Sequence, residues 1–172
     1  MVRFRTALGT CGVKWSDAGI TRVLLPGTPT LSRRVCEAAP EPPDEVLAAV
    51  GAIVSLLNGV RTDLRWVSLD ESGIDPFRQS VYAVVREVPP GVTVSYGDIA
   101  HAVGKPDAPR AVGAALAANP LPIIVPCHRV LSATGGLHGF PAPGGLATKR
   151  RMLEIERAPG FNQLSLLGSI AS

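Results

Sequence analysis

The chain is poor in aromatic residues, at 5% of 172, and it has only three cysteines, Cys11, Cys36 and Cys127. An odd and widely spaced set of thiols argues against a disulfide framework and for a reducing compartment. The cysteines lack any paired metal-ligand spacing, and His101, His128 and His138 form no H-x-x-x-H pattern. A structural zinc needs about four ligands in a tetrahedron, and no local stretch supplies them. A distributed set drawn from Cys11, Cys36 and a histidine is the remaining arrangement and is not favoured, so neither a metal nor a cofactor is expected. No apolar run approaches the ~18 residues that cross a bilayer. Met1-Val2-Arg3-Phe4-Arg5 has no apolar h-region behind its basic residues, so no signal peptide is expected. A cytoplasmic protein away from membranes is expected. Internal repeats and low-complexity tracts are also missing.

Hydrophobic residues make up 46% of the chain, enough for the core of one ordinary domain or two small ones. A net charge of +3 permits a polyanionic partner without requiring one. Phe4 to Thr6, Val13 to Ser16 and Ile20 to Leu25 read as strands, with Asp17-Ala18-Gly19 as a turn. Pro26 to Pro43 reads as loop with one helical turn around Ser32 to Glu37. Asp44 to Leu57 places Val46, Leu47, Val50, Ile53, Val54 and Leu57 at helical spacing, and Leu64 to Leu69 alternates like a further strand. A boundary near Glu71-Ser72-Gly73 divides the chain into domains of residues 1–74 and 75–172.

Asp75-Pro76 opens the second part as an N-cap followed by proline at the first helical position. Phe77, Val81, Val84, Val85 and Val88 form an apolar stripe that Pro89-Pro90-Gly91 ends. Ser95-Tyr96-Gly97-Asp98 has the form of a capping box, with an acid three residues after the serine. A further helix starts at Pro109 or Arg110 and ends near Asn119-Pro120, and the pair reads as a helix-turn-helix. Ala111, Gly113, Ala114, Ala115, Ala117 and Ala118 leave its second helix almost bare. Readers of base edges in the major groove carry long polar side chains, so this helix suits the minor groove or close helix packing. Arg110, alone at its start, is a surface charge, a phosphate contact or a side chain that enters the base stack.

The most informative stretch is Pro126-Cys127-His128-Arg129-Val130, placed after Ile123-Ile124-Val125, which reads as a buried strand. A thiol is mostly protonated near neutral pH, and a nearby base raises its thiolate fraction. Cys-His alone also fits inert packing.

From Phe77 onward the chain resembles the 6-O-alkylguanine-DNA alkyltransferases. The matching pieces occur in family order: Ser95-Tyr96-Gly97-Asp98-Ile99-Ala100, Arg110-Ala111-Val112-Gly113, Asn119-Pro120, Val125-Pro126-Cys127-His128-Arg129-Val130, and Gly144-Gly145-Leu146-Ala147 with Lys149. They cover roughly residues 77 to 157, and the first 74 match in general layout. The resemblance implies an α/β N-terminal domain, a small antiparallel sheet plus helix in a ribonuclease H-like layout. A mostly helical C-terminal domain with a helix-turn-helix follows. It also implies a monomer that binds double-stranded DNA, flips an alkylated guanine out of the stack and moves the alkyl group to its own thiol in a single turnover. The 4-O-alkylthymine lesion is a further candidate substrate.

Residue by residue, the resemblance makes Cys127 the acceptor and His128 its base through a water. That relay fits a regular strand end, where neighbouring side chains point to opposite faces. Glu156, seven residues after Lys149, is expected to orient His128 in preference to Glu154. Asn119 is expected to brace the turn holding the active strand, and Tyr96 to donate to the flipped base. Arg110 is expected to fill the gap in the duplex, with Ala111, Gly113 and Tyr96 also on the DNA side. Phe140, Pro143, Gly144, Val130 and Lys149 are expected around the substrate pocket, Lys149 as support or as a phosphate contact. Arg129 receives no chemical role.

The sequence departs from the family at Phe140, where a tyrosine is common, and at Pro109. Residues 140–145 are two residues longer than the compact form. Pro143 lacks the N–H that the family's pocket loop aims at the guanine oxygen, which leaves Ala142 as donor or a differently built pocket. Competing readings are a lesion-flagging protein without repair, a cysteine hydrolase or transferase on small substrates, and a regulator that senses alkylation. Cys127 weighs against the first. The second needs an oxyanion hole whose donors the sequence does not reveal, and the alanine-rich helix weighs against the third.

Overall fold

The computed structural model describes residues 1–32 and 41–161. Three strands, β1 (Val2–Thr6), β2 (Gly9–Ser16) and β3 (Gly19–Leu24), form an antiparallel sheet in sequence order. Two-residue turns join them, and the second falls on Asp17-Ala18 as the sequence suggests. Gly19 must be glycine on two counts. Its φ is +140°, and a Cβ there would come within 2.6 Å of the Ser68 carbonyl oxygen.

Helix α1 (Pro29–Ser32) is one turn long. The rest of the turn expected around Ser32 to Glu37 lies outside the described residues, as does Cys36. Helix α2 (Asp44–Leu57) has the bounds its periodicity predicts. It buries Val46, Ala49, Ile53, Leu56 and Leu57, while Leu47 stays exposed. The strand expected over Leu64 to Leu69 does not form. Only an isolated bridge joins Leu69 to Ile20, although Leu64 and Val67 are buried. The alternating pattern is met instead by a turn, in which Val67 N donates to Leu64 O. Three carbonyls of this stretch, at Leu64, Arg65 and Val67, accept from Arg86 Nη2, so a side chain supplies the donor a strand partner would have given.

Helix α3 (Pro76–Arg86) opens on Asp75, whose side chain accepts from Arg78 N, with proline in its first turn. A two-residue strand β4 (Val94–Ser95) runs directly into α4 (Tyr96–Ala102), whose Ser95–Asp98 capping box closes from both sides. Helix α5 (Pro109–Ala117) follows. Val81, Tyr82 and Val85 of α3 are fully buried, and Tyr82 Oη donates to Ala115 O, tying α3 to α5. Strand β5 (Val130–Leu131) pairs in parallel with β4, and α6 (Gly145–Ile155) ends the described helices.

One apolar cluster runs through both parts, from Cys11 and Ile53 to Val85, Leu116 and Val130. Backbone bonds also cross between the parts. Val23 N donates to Pro120 O at 2.9 Å, which sets the edge of the first sheet against the turn that precedes Cys127. No helix among the described residues is long and apolar enough to cross a membrane.

Candidate active site

The buried strand expected over Ile123 to Val125 is not formed. Ile123 has φ +78°, which breaks an extended run, and residues 127–129 close a single 3-10 turn. The run is apolar because it is buried, and short apolar runs carry no strand periodicity of their own. Asn119 holds this turn. Its Nδ2 donates to Val125 O and its Oδ1 accepts from Leu121 N, both at 2.9 Å. The β4–β5 pair sets Val94 opposite Val130 and Ser95 opposite Leu131, so α4 begins directly beside the strand that leaves the Cys127 turn.

Cys127, His128, Arg129, Lys149 and Glu156 are all buried, His128 and Lys149 completely. The Glu156 carboxylate is the hub. Its Oε1 meets His128 Nε2 at 2.8 Å and accepts from Arg129 Nη2 at 2.8 Å. Its Oε2 accepts from Arg129 Nε at 2.9 Å and from Gly91 N at 3.1 Å. Arg129 Nη1 donates to Val88 O. Arg129, unassigned from sequence, is therefore a two-pronged clamp on the carboxylate. Such a fork is the strongest geometry available to a buried ion pair.

Burial alone would raise the Glu156 carboxyl, but His128 and Arg129 together hold it well below the usual range. An ionised carboxylate only accepts hydrogen bonds, so His128 Nε2 carries the proton and Nδ1 the lone pair. Nδ1 is buried without a partner. Burial also lowers the His128 pKa, against the pull of Glu156. The imidazole is thus neutral at physiological pH, with a base atom free. Burial raises the Cys127 thiol, opposed by the Asn119 side chain and the Lys149 charge.

Of the two roles expected for Lys149, support and phosphate contact, its surroundings fit support. It is no phosphate contact, because its ammonium is enclosed and donates to Val130 O at 2.7 Å and His138 O at 3.1 Å. Burial lowers its pKa to about 8, against the Cys127 thiol, which raises it. It ties β5 to the loop that leads to Phe140 from beneath. Nor does it line the cavity at Cys127, and Val130, Gly144 and Tyr96 do not either. Val130 is fully buried, and Gly144 is the exposed N-cap of α6 at φ +81°. Phe140, Pro143 and Ala142 do line that cavity, which holds about 370 Å³.

Tyr96 is partly buried, donates from Oη to His138 O at 3.3 Å, and lies under Lys149 Nζ at 5.8 Å from its ring centre. Burial raises its phenol, so the hydroxyl keeps its proton at neutral pH. Its ring packs beside Gly113 of α5. Arg110, Ala111, Ala114, Ala117 and Ala118 form the exposed face of α5 and its end. No group of three metal-ligating side chains is found among the described residues.

The arrangement defines a class: an α/β scaffold that buries one thiol next to a neutral imidazole steered by a clamped carboxylate. Residues 76–158 match the family described as 6-O-methylguanine DNA methyltransferase, DNA binding domain. A methylated-DNA–protein-cysteine methyltransferase of Methanothermobacter thermautotrophicus is 34% identical over 146 residues, covering 84% of this chain and 78% of that protein. One of Mycobacterium bovis is 47% identical over 100 residues, 58% of this chain and 59% of its own length. The crystal structure of Mycobacterium tuberculosis OGT in complex with DNA superimposes with a TM-score of 0.72 at 32% identity, covering 96% of this chain and 97% of that one. The chain belongs to the methylated-DNA–protein-cysteine methyltransferase family.

Proposed function

We propose that this protein repairs alkylated duplex DNA directly, taking the alkyl group from the 6-oxygen of guanine onto Cys127. The observation that carries the assignment of residues is the free Nδ1 of a buried imidazole whose other nitrogen is committed to Glu156. His128 Nδ1 takes the thiol proton through a water. The sulfur then forms a bond to the alkyl carbon, the carbon–oxygen bond breaks, and its electron pair stays on the guanine. Tyr96 offers the hydrogen bond or proton that the guanine needs as negative charge develops. The imidazolium is stabilised by the Glu156 carboxylate, which Arg129 keeps ionised. The thioether cannot return to a thiol by these steps, so each molecule acts once.

Residues 1–74 and 75–172 form two domains in this reading, and α4 with α5 forms a helix-turn-helix. The bare face of α5 lies along the minor groove, with Arg110 filling the space that the flipped nucleotide leaves. The protein acts as a monomer in the cytoplasm. A Cys127→Ser variant should lose transfer while keeping affinity for DNA that carries 6-O-methylguanine. Methyl transfer by that variant would remove Cys127 from the acceptor role.

A further inference from the structure

The cavity at Cys127 has three walls. One is the end of α5 and the turn after it, including Asn119, Pro120 and Pro122, and the second is Phe140 to Pro143. The third comes from the other end of the sequence: Leu24, Leu25, Thr28 and Pro29, where β3 passes into α1. Resting on the repair reading above, we infer that this N-terminal wall, Pro29 in particular, sets how large an alkyl group the protein accepts.

The chemistry places the alkyl group there. Its reacting carbon lies between the guanine oxygen and the sulfur, so any substituent on that carbon extends into space lined by Cys127. At about 370 Å³ the cavity falls in the ~300–1,000 Å³ range of small-molecule sites. That space has to hold the flipped guanine together with its alkyl group, so each side chain on its walls limits what room the alkyl group has.

The third wall is fixed. Thr28 donates from N and from Oγ1 to Leu25 O, and Leu31 N donates to Thr28 O. Val23 N is bonded to Pro120 O, so the sheet edge is tied to the first wall. Gly27, at φ +86°, approaches the second wall so closely that a Cβ there would lie 2.9 Å from Pro143 Cβ. Pro143 in turn is held from behind, its carbonyl accepting from Thr148 Oγ1 at 2.8 Å. These bonds and close approaches tie the third wall to the other two. Pro29 is exposed at the rim of this cavity, so the bulk of its side chain decides how far the cavity extends on that side. The role of the N-terminal part is thus more than support, because it completes the substrate site from outside the family-matched region.

The test uses the full chain with two duplexes, one carrying 6-O-methylguanine and the other 6-O-benzylguanine, under single-turnover conditions. The readout is the ratio of benzyl to methyl transfer rates. Pro29→Trp fills the wall and should lower that ratio by about tenfold or more, the scale of a steric mismatch in a pocket. Pro29→Ala opens it and should raise the ratio, and it gives a second reading if the tryptophan variant does not fold. A ratio unchanged in the folded variants overturns the inference while leaving repair intact. Failure of the unaltered protein to transfer either group overturns the repair reading itself.

Discussion

The two parts of the molecule are built on opposite principles. Among the described residues, no polar or charged side chain before Pro76 is buried, and the core there is built from residues such as Cys11, Val13, Ile20, Ile53 and Leu56. The buried polar and charged residues, His128, Arg129, Lys149 and Glu156, all come from the second part. Burying an ion costs several kcal/mol unless partners repay it. The sheet and α2 carry no such cost. The second part spends its hydrogen bonds on it, because a thiol becomes a useful nucleophile only beside a base whose proton position is set. The comparison teaches that the charged cluster is what distinguishes the second part, whereas the first part contributes apolar residues to the shared core.

The comparison can be broken most directly at Glu156. Glu156→Ala leaves Arg129 and His128 buried without their acid, and removing one partner of a buried ion pair costs about 3–5 kcal/mol. Transfer should fall by orders of magnitude even in the folded fraction. A variant that keeps its denaturation midpoint and its transfer rate would contradict the hub role of Glu156. In the first part, Ile53→Ala should cost about 2–5 kcal/mol, the range for truncating a fully buried aliphatic side chain. Transfer per folded molecule should stay the same, as a urea titration paired with single-turnover rates would show.

Acid separates the two parts further. The unfolded chain takes up a proton on histidine near ~6.5 and on glutamate near ~4.3. His128 and Glu156 both have folded pKa values below their usual ones. The unfolded state therefore binds more protons as pH falls through these values, and the stability they support is lost on the acid side. Urea midpoints at pH 7.5, 5.5 and 4 should fall in turn. The fall should be much smaller in a variant that carries apolar replacements at His128, Arg129 and Glu156 together. An acid-insensitive midpoint would contradict the buried network.

The smallest effect on stability is expected at the exposed Arg110. Arg110→Ala should change stability by no more than about 0.5 kcal/mol. It should slow transfer from duplex DNA more than from free 6-O-benzylguanine, and equal slowing would remove its part in flipping.

Local signals in the sequence were legible where the structure obeys local physics. The β2–β3 turn, α2, the Asp75-Pro76 helix start and the Ser95–Asp98 capping box depend on neighbours a few residues apart. Leu64 to Leu69 and Ile123 to Val125 carry strand-like patterns without forming strands, because burial gives apolar patterns without requiring a sheet. Arg129 is bonded to an acid 27 residues away, and no spacing rule exposes that pairing. Tyr82, which holds α5 through Ala115 O, and Lys149, buried against two carbonyls, were hidden for the same reason. The third wall of the cavity depends on contact between residues more than 100 positions apart, such as Gly27 and Pro143. Only the folded chain displays it.

The most direct test of the central claim is intact mass and peptide mapping after mixing the protein with excess duplex DNA carrying 6-O-methylguanine. The account predicts one added methyl group, located on Cys127, with the reaction stopping at one equivalent. Methyl on another residue, or continued turnover with no added mass, would contradict it.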